Sequence, residues 1–256
     1  MSLGGVFADP DVARAYRQRA PYPPETFAIL ERLLVEPRTV LDVGAGSGGL
    51  ARSMVRFARR VDAVDPSAAM IGEGRTLPGG SDPRLRWIAG SAEEAPLEPP
   101  YGLITAGSSI HWMDPARVMP RFAAALAPGA HLAVLETDDG ERDDRTHPLP
   151  EILEIYGRYS GPVKHHSGMR DVLVTLEASG YFVREGEQRT TAVPLRRSVE
   201  EYLEFLHSTS ELARVRLGER TARFDEEVRG LFARKGLTSI DRQVVGVVVW
   251  GRPVSK

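Results

Sequence analysis

The chain has 256 residues, 42% hydrophobic and 27% charged, with 33 basic side chains against 35 acidic ones and no cysteine. A chain of this size and composition makes one large or two small globular domains, with core enough to need no disulfide or metal staple. The missing thiols exclude disulfides, zinc–thiolate centres and cysteine catalysis, and a net charge of −2 gives no bulk attraction for nucleic acid or an anionic membrane.

At the N-terminus, MSLGGVFADPD has neither a basic start nor an apolar core, so no signal peptide is expected. Met1–Gly5 reads as an added leader or a disordered end. Asp9 followed by Pro10 is an N-cap with proline in the first helical position, and a polar helix is expected to about Arg19. APYPPE (20–25) breaks it. A second helix over 26–34 puts Phe27, Leu30, Leu33 and Leu34 on one face.

An alternation then begins. Residues 40–43 (VLDV) form a short apolar strand, and 47–59 a helix with Leu50, Met54, Phe57 and Ala58 on one face. Residues 61–64 form a second strand ending at Asp65-Pro66, and 67–74 a short helix. Third and fourth strands are expected at 85–89 and 101–106, a helix at 115–126 and a fifth strand at 130–136. Short apolar strands alternating with helices specify a parallel sheet with helices on both faces.

Past residue 137 the rhythm changes. TDDGERDDRTH is a solvated loop, followed by a helix over 149–159 and a link, SGPVKHHSG. Met169, Val172, Leu173 and Leu176 mark a helix closed by Gly180. Residues 181–193 alternate as a strand, Ser198-x-x-Glu201 is a capping box, helices run to about 235, and 243–251 form a last strand. An antiparallel sixth and seventh pair at one sheet edge is expected. The longest apolar run, 244–250 broken by Gly246, is far short of the roughly 20 residues of a membrane helix. A cytoplasmic location is expected.

Between the first strand and its helix lies Gly44-x-Gly46-x-x-Gly49, where glycines let backbone approach a ligand closely. Asp65 ends the second strand, 65 − 44 = 21 residues on, where an acid can take both ribose hydroxyls of an adenosine. Those features fit a nicotinamide dinucleotide and any other adenosine ligand alike. Asp42 separates them: near the carboxyl end of a buried strand, its charge would repel a pyrophosphate and suit a cation. A purely structural carboxylate is the alternative.

With these residues placed, VLDVGAGSG (40–48), VDAVDPS (61–67), GSAEEAPL (90–97) and YGLITAGSSIHWMD (101–114) resemble the successive motifs of class I S-adenosylmethionine-dependent methyltransferases. More narrowly they resemble the methyltransferase type 11 group, which includes trans-aconitate-methyltransferase-like enzymes. AYRQRAPYPPE and QVVGVVVWGRP are similar to that group as well, so the resemblance spans nearly the whole chain.

The resemblance implies a three-layer α/β fold whose seven-stranded, mostly parallel sheet has an antiparallel last strand. It implies a single domain over 1–256, with N-terminal lid helices over 1–36 and helical caps over 138–168 and 195–240. The expected cofactor is S-adenosylmethionine, leaving as S-adenosylhomocysteine, with no metal. Gly44, Ala45 and Gly46 would lie under its methionine part, Asp42 at its amino group and Asp65 at the ribose. Pro66, Ser67 and Met70 would neighbour the adenosine, with Ser91, Ala92 and Glu93 beside the adenine; Ser91 stands where the group more often has aspartate. Gly107 and Ser108 would pass the methyl group. Tyr16 and Arg19 would form a lid, Arg19 pairing with the methionine carboxylate; a solvated helix is the alternative.

His111 is the candidate general base, because imidazole titrates near neutrality. Together with Trp112 it is equally a wall of the site. Tyr22, His111, Trp112, His165 and His166 are candidate acceptor contacts, and adjacent histidines are poor metal-chelating spacing. Tyr156, Tyr159, Tyr202, Phe205 and His207 are cap residues of mixed polarity.

The implied reaction is direct in-line transfer of a methyl group to O, N or C of a small metabolite or natural product. The run Arg214, Arg216, Arg220 and Arg223, interleaved with acids, reads as a solvated face, so no nucleic-acid or membrane partner is expected. An NAD-dependent oxidoreductase, or a non-catalytic binding protein on the same fold, are the other readings.

Overall fold

The computed structural model describes residues 4–138, 148–160 and 168–256. Helices are α1 (Pro10–Ala15), α2 (Pro24–Leu33), α3 (Ala51–Met54), α4 (Ala68–Thr76), α5 (Pro115–Ala125), α6 (Leu149–Ser160), α7 (Met169–Ala178), α8 (Val199–His207), α9 (Arg214–Leu217) and α10 (Thr221–Arg234). Strands are β1 (Thr39–Val43), β2 (Arg60–Asp65), β3 (Leu85–Ala89), β4 (Leu103–Gly107), β5 (Leu132–Asp138), β6 (Phe182–Arg189), β7 (Val193–Ser198) and β8 (Ser239–Pro253). They gather into two compact units, Pro21–Asp138 with His166–Thr191 and Val245–Lys256, and Met1–Ala20 with Asp139–His165 and Ala192–Val244.

The first unit is built on a sheet of order β3-β2-β1-β4-β5-β8-β6. Strands β1 to β5 pair in parallel. Strand β8 runs antiparallel to β5 and β6, which is the inserted antiparallel last strand the sequence led us to expect. Side chains alternate across the sheet. Leu41, Val43, Ile104, Ala106, Leu132 and Val134 pack with Val118 and Phe122 of α5 and Leu173 of α7. Val40, Leu103, Ala133, Leu135 and Val248 pack on the other face with Leu30 of α2, Met54 of α3 and Leu50 just before it. Fully burying one such side chain contributes about 1.5–3 kcal/mol. Asp42 stands opposite Ala63 on one side and Thr105 on the other, on the Val40 face.

The second unit holds α1, α6, α8, α9 and α10, with β7 paired to the opening residues of β8. Its core is aromatic: Tyr159, Tyr202, Phe224 and Phe232 pack with Leu206 and Val228. Helix α8 opens on the expected capping box, with Ser198 accepting from the Glu201 amide and Glu201 accepting in return.

Several elements differ from the sequence reading. The strand expected over 181–193 ends early, at Arg189, and a further strand, β7, begins at Val193; between them Thr190 bonds Gly246 through both its amide and its hydroxyl. The helix expected over 47–59 is regular only at α3, and tight three-residue bonds, Gly48 N–H to the Ala45 carbonyl and Phe57 N–H to the Met54 carbonyl, flank it. Tyr159, Tyr202 and His207 are at most 7% exposed and build the core of their unit. Among the described residues no helix is long and apolar enough to cross a membrane.

Candidate active site

Asp42 is the most heavily buried acid of the glycine-loop region, at 2% exposure. Its Oδ1 accepts from the Thr105 hydroxyl at 2.7 Å, and the amide of Ala51, at the start of α3, also donates to the carboxylate. Burial pushes the carboxyl up to about 7, those two hydrogen bonds pull it back, and the charge of Asp65 adds to the rise.

The loop after β1 is shaped by backbone that only glycine adopts easily. Gly44 has φ +64°, and a Cβ there would lie 2.4 Å from that of Ser109, so neither conformation nor space admits a side chain. Ser109 is itself fixed, its hydroxyl donating to the Val43 carbonyl at 2.7 Å. Gly46 has φ +56° and donates its amide to Asp65 Oδ2 at 2.7 Å. Ala45 donates to the Val64 carbonyl. The loop is thus tied to the ends of both β1 and β2.

Asp65 does more than end a strand. Its other oxygen, Oδ1, accepts from the Ser67 amide at 2.8 Å, and burial raises its carboxyl above the ordinary value against both bonds. Ser67 then caps α4 by accepting from the Met70 amide. Met70 is buried, while Pro66 is exposed. In the turn after β3, Ala92 packs into the core and Glu93 accepts from the Asp114 amide at 3.0 Å. Burial opposes ionisation of Glu93, yet that amide, its own amide and the Ser91 hydroxyl hold its carboxyl below the ordinary value.

Strand β4 ends at Gly107, where a Cβ would lie 2.5 Å from the Tyr22 hydroxyl and 2.7 Å from Leu50. Tyr22 also approaches Gly49, its ring carbon 3.8 Å from where a Cβ would be. The segment before α2 therefore brings Tyr22 across the end of β4 and the end of the glycine loop. Ser108 has φ +50°, and its amide donates to the Leu135 carbonyl. His111 and Trp112 follow in a 3-10 turn, both exposed, with ring centroids 5.0 Å apart.

Tyr16 and Arg19 belong to the other unit. Arg19 donates from Nη2 to the Ser208 carbonyl at 2.9 Å and lies over the rings of Tyr16 and Phe205, 5.1 and 5.6 Å from their centroids. Its Nε is buried without a hydrogen-bond partner. His165 and His166 lie outside the described residues. Among the described residues no group of three acidic or histidine side chains is placed to hold a metal ion.

Sequence reasoning passed over Thr105 and Glu136. Thr105 lies inside the fourth motif but reads as ordinary strand; only sheet register joins it to Asp42. Glu136, at the end of β5, accepts from the Met169 amide, and burial raises its carboxyl.

Residues 40–129 match the model of a methyltransferase-domain family. Over 162 residues the chain is 34% identical to an uncharacterised methyltransferase of Mycobacterium tuberculosis, covering 63% of each protein. It is 29% identical over 179 residues to trans-aconitate 2-methyltransferase of Variovorax paradoxus, covering 68% of this chain and 65% of the relative. The matches thus span less than two thirds of these relatives. A solved structure from Anaeromyxobacter dehalogenans, described as a candidate type II methyltransferase, superposes with a TM-score of 0.69 at 23% identity, over 93% of this chain and 99% of that one.

Proposed function

This chain carries a methyltransferase domain on a class I methyltransferase fold, and from that premise we propose that it moves a methyl group from S-adenosylmethionine to O, N or C of a small-molecule acceptor. One arrangement carries the reading: two buried carboxylates, Asp42 and Asp65, frame a glycine loop that has no room for a side chain at Gly44. Carboxylate oxygens suit an ammonium and ribose hydroxyls, and they oppose a pyrophosphate. The same donor set therefore disfavours NAD. When bound, S-adenosylmethionine supplies an electrophilic methyl group on a sulfonium.

Asp42 holds the ammonium side, directly or through water, and Gly44, Ala45 and Gly46 give the close approach. Asp65 meets the ribose. Pro66, Ser67 and Met70 border the adenosine, and Ser91, Ala92 and Glu93 the adenine edge. Gly107 and Ser108 line the path of the methyl group. The resemblance assigns the methionine carboxylate to Arg19, with Tyr16, as a charge-assisted contact.

Tyr22, His111 and Trp112 face the acceptor. Holding the acceptor atom in line supplies much of the rate. His111 removes a proton only where the nucleophile is protonated at working pH. A cytoplasmic enzyme without nucleic-acid or membrane partners is consistent with this reading.

The test is ligand-induced stabilisation. S-adenosylhomocysteine is expected to raise the melting temperature, NAD is not, and Asp42→Ala should abolish the rise; no shift at saturating S-adenosylhomocysteine overturns the proposal. Because one relative is named for trans-aconitate, an acceptor panel should begin with small di- and tricarboxylic acids. Binding without turnover on any acceptor would favour a non-catalytic role.

A further inference from the structure

We infer that Thr105 is a positioning residue for the cofactor site: its hydroxyl, across the β1–β4 pair, holds the Asp42 carboxylate in place and in its charged form. This rests on the reading that Asp42 serves the cofactor's ammonium.

Thr105 is fully buried on β4, directly opposite Asp42. Its same-face neighbour Leu103 packs into the apolar core, and a valine of the same shape would suit that environment better, since a buried hydroxyl costs free energy unless it is bonded. The hydroxyl is bonded, as a donor to Asp42 Oδ1 at 2.7 Å. A β-branched side chain is stiff about χ1, so the donor cannot easily swing away.

The groups acting on Asp42 come from three elements. Thr105 on β4 and the Ala51 amide on α3 favour the carboxylate, while burial and Asp65 on β2 oppose it. Without the hydroxyl, one amide is left against both opposing influences. The proton that leaves Asp42 when a cation binds would then be held more tightly. Thr105 therefore sets the pH above which the site attracts an ammonium, without touching the ligand.

The experiment is a calorimetric titration with S-adenosylhomocysteine from pH 5.5 to 8.5, on wild type, Thr105→Val, Thr105→Ala, Thr105→Ser and Asp42→Asn. The wild type should bind more weakly as pH falls through about 7. In Thr105→Val that midpoint should move up by about one unit, costing about fivefold in affinity at pH 7, approaching tenfold below it, and little at the alkaline end. Thr105→Ser should restore the wild-type midpoint, and Asp42→Asn should bind weakly with no such midpoint.

Melting temperature against pH without ligand gives the same midpoint independently. Thr105→Ala supplies a second donorless variant should Thr105→Val fold poorly. A wild-type midpoint in the donorless variants, even with uniformly weaker binding, overturns the inference. So does a serine variant shifted as far as valine. Wild-type binding by Asp42→Asn would instead overturn the ammonium reading on which the inference rests.

Discussion

Asp42 carries a cost that pH should reveal. Its carboxyl is ordinary at 3.8 in the unfolded chain and raised to about 7 in the folded one, so the folded state holds the proton more tightly. The stability this contributes is fully present below the unfolded value and is lost as pH rises through the folded value. Unliganded protein should therefore lose stability between pH 4 and 7, by on the order of 1.4 kcal/mol per pH unit crossed. Asp42→Asn should flatten that slope in a melting series. It should not erase it, because the Asp65 carboxyl is raised as well. Gly44→Ala is the steric counterpart. A methyl group 2.4 Å from the Ser109 Cβ, at φ +64°, should cost about 1–3 kcal/mol of stability and abolish S-adenosylhomocysteine binding. Both acids and all three loop glycines were legible from sequence, since spacing and strand context announce them. Thr105 was not, because a threonine in a buried strand carries no signal until its neighbour across the sheet is known.

Among the elements, α8 was read from sequence with its start correct, because Ser198 and Glu201 are local chemistry: three residues apart, each satisfies the other's backbone. Ser198→Ala should cost about 1 kcal/mol in a denaturant titration, and Ser198→Asp should recover most of it. The partners of that helix's last residue were not legible. His207 has Nδ1 2.8 Å from the Leu212 carbonyl and Nε2 2.8 Å from Asp225 Oδ1, joining α8 to α10 across 18 residues of sequence. Nothing in HSTSEL announces a buried histidine with two oxygen partners, and such pairing belongs to tertiary structure. His207→Leu should leave the Leu212 carbonyl and Asp225 without their partner and lower stability by about 1–3 kcal/mol, more than the exposed Arg223→Ala. Strand β7 was missed for a related reason: Val193-Pro194-Leu195 continues the alternation of β6, and only the Thr190–Gly246 bonds show where one strand ends.

For the molecule as a whole, separate cores in two units make single-step unfolding an unsafe assumption. Phe224→Ala, in the aromatic core of the helical unit, should cost about 3–5 kcal/mol there. Hydrogen exchange should then show protection lost in α6, α8 and α10, with β1 and β4 less affected. The sheet was legible in outline because parallel strands buried on both faces read as apolar runs. Its order was not legible from periodicity; family resemblance supplied only the inserted antiparallel last strand. That order has a consequence for synthesis. In the sheet, β6 has β8 as its hydrogen-bonded neighbour, and β8 also covers the open side of β5. A ribosome delivers β5 first and β6 next, but the strand that fits between them leaves the tunnel only after α8, α9 and α10. During that interval both strands offer bare backbone to any other nascent chain. Growth temperature and chaperone supply should therefore govern the yield of intact protein more strongly than the stability of the finished fold would suggest.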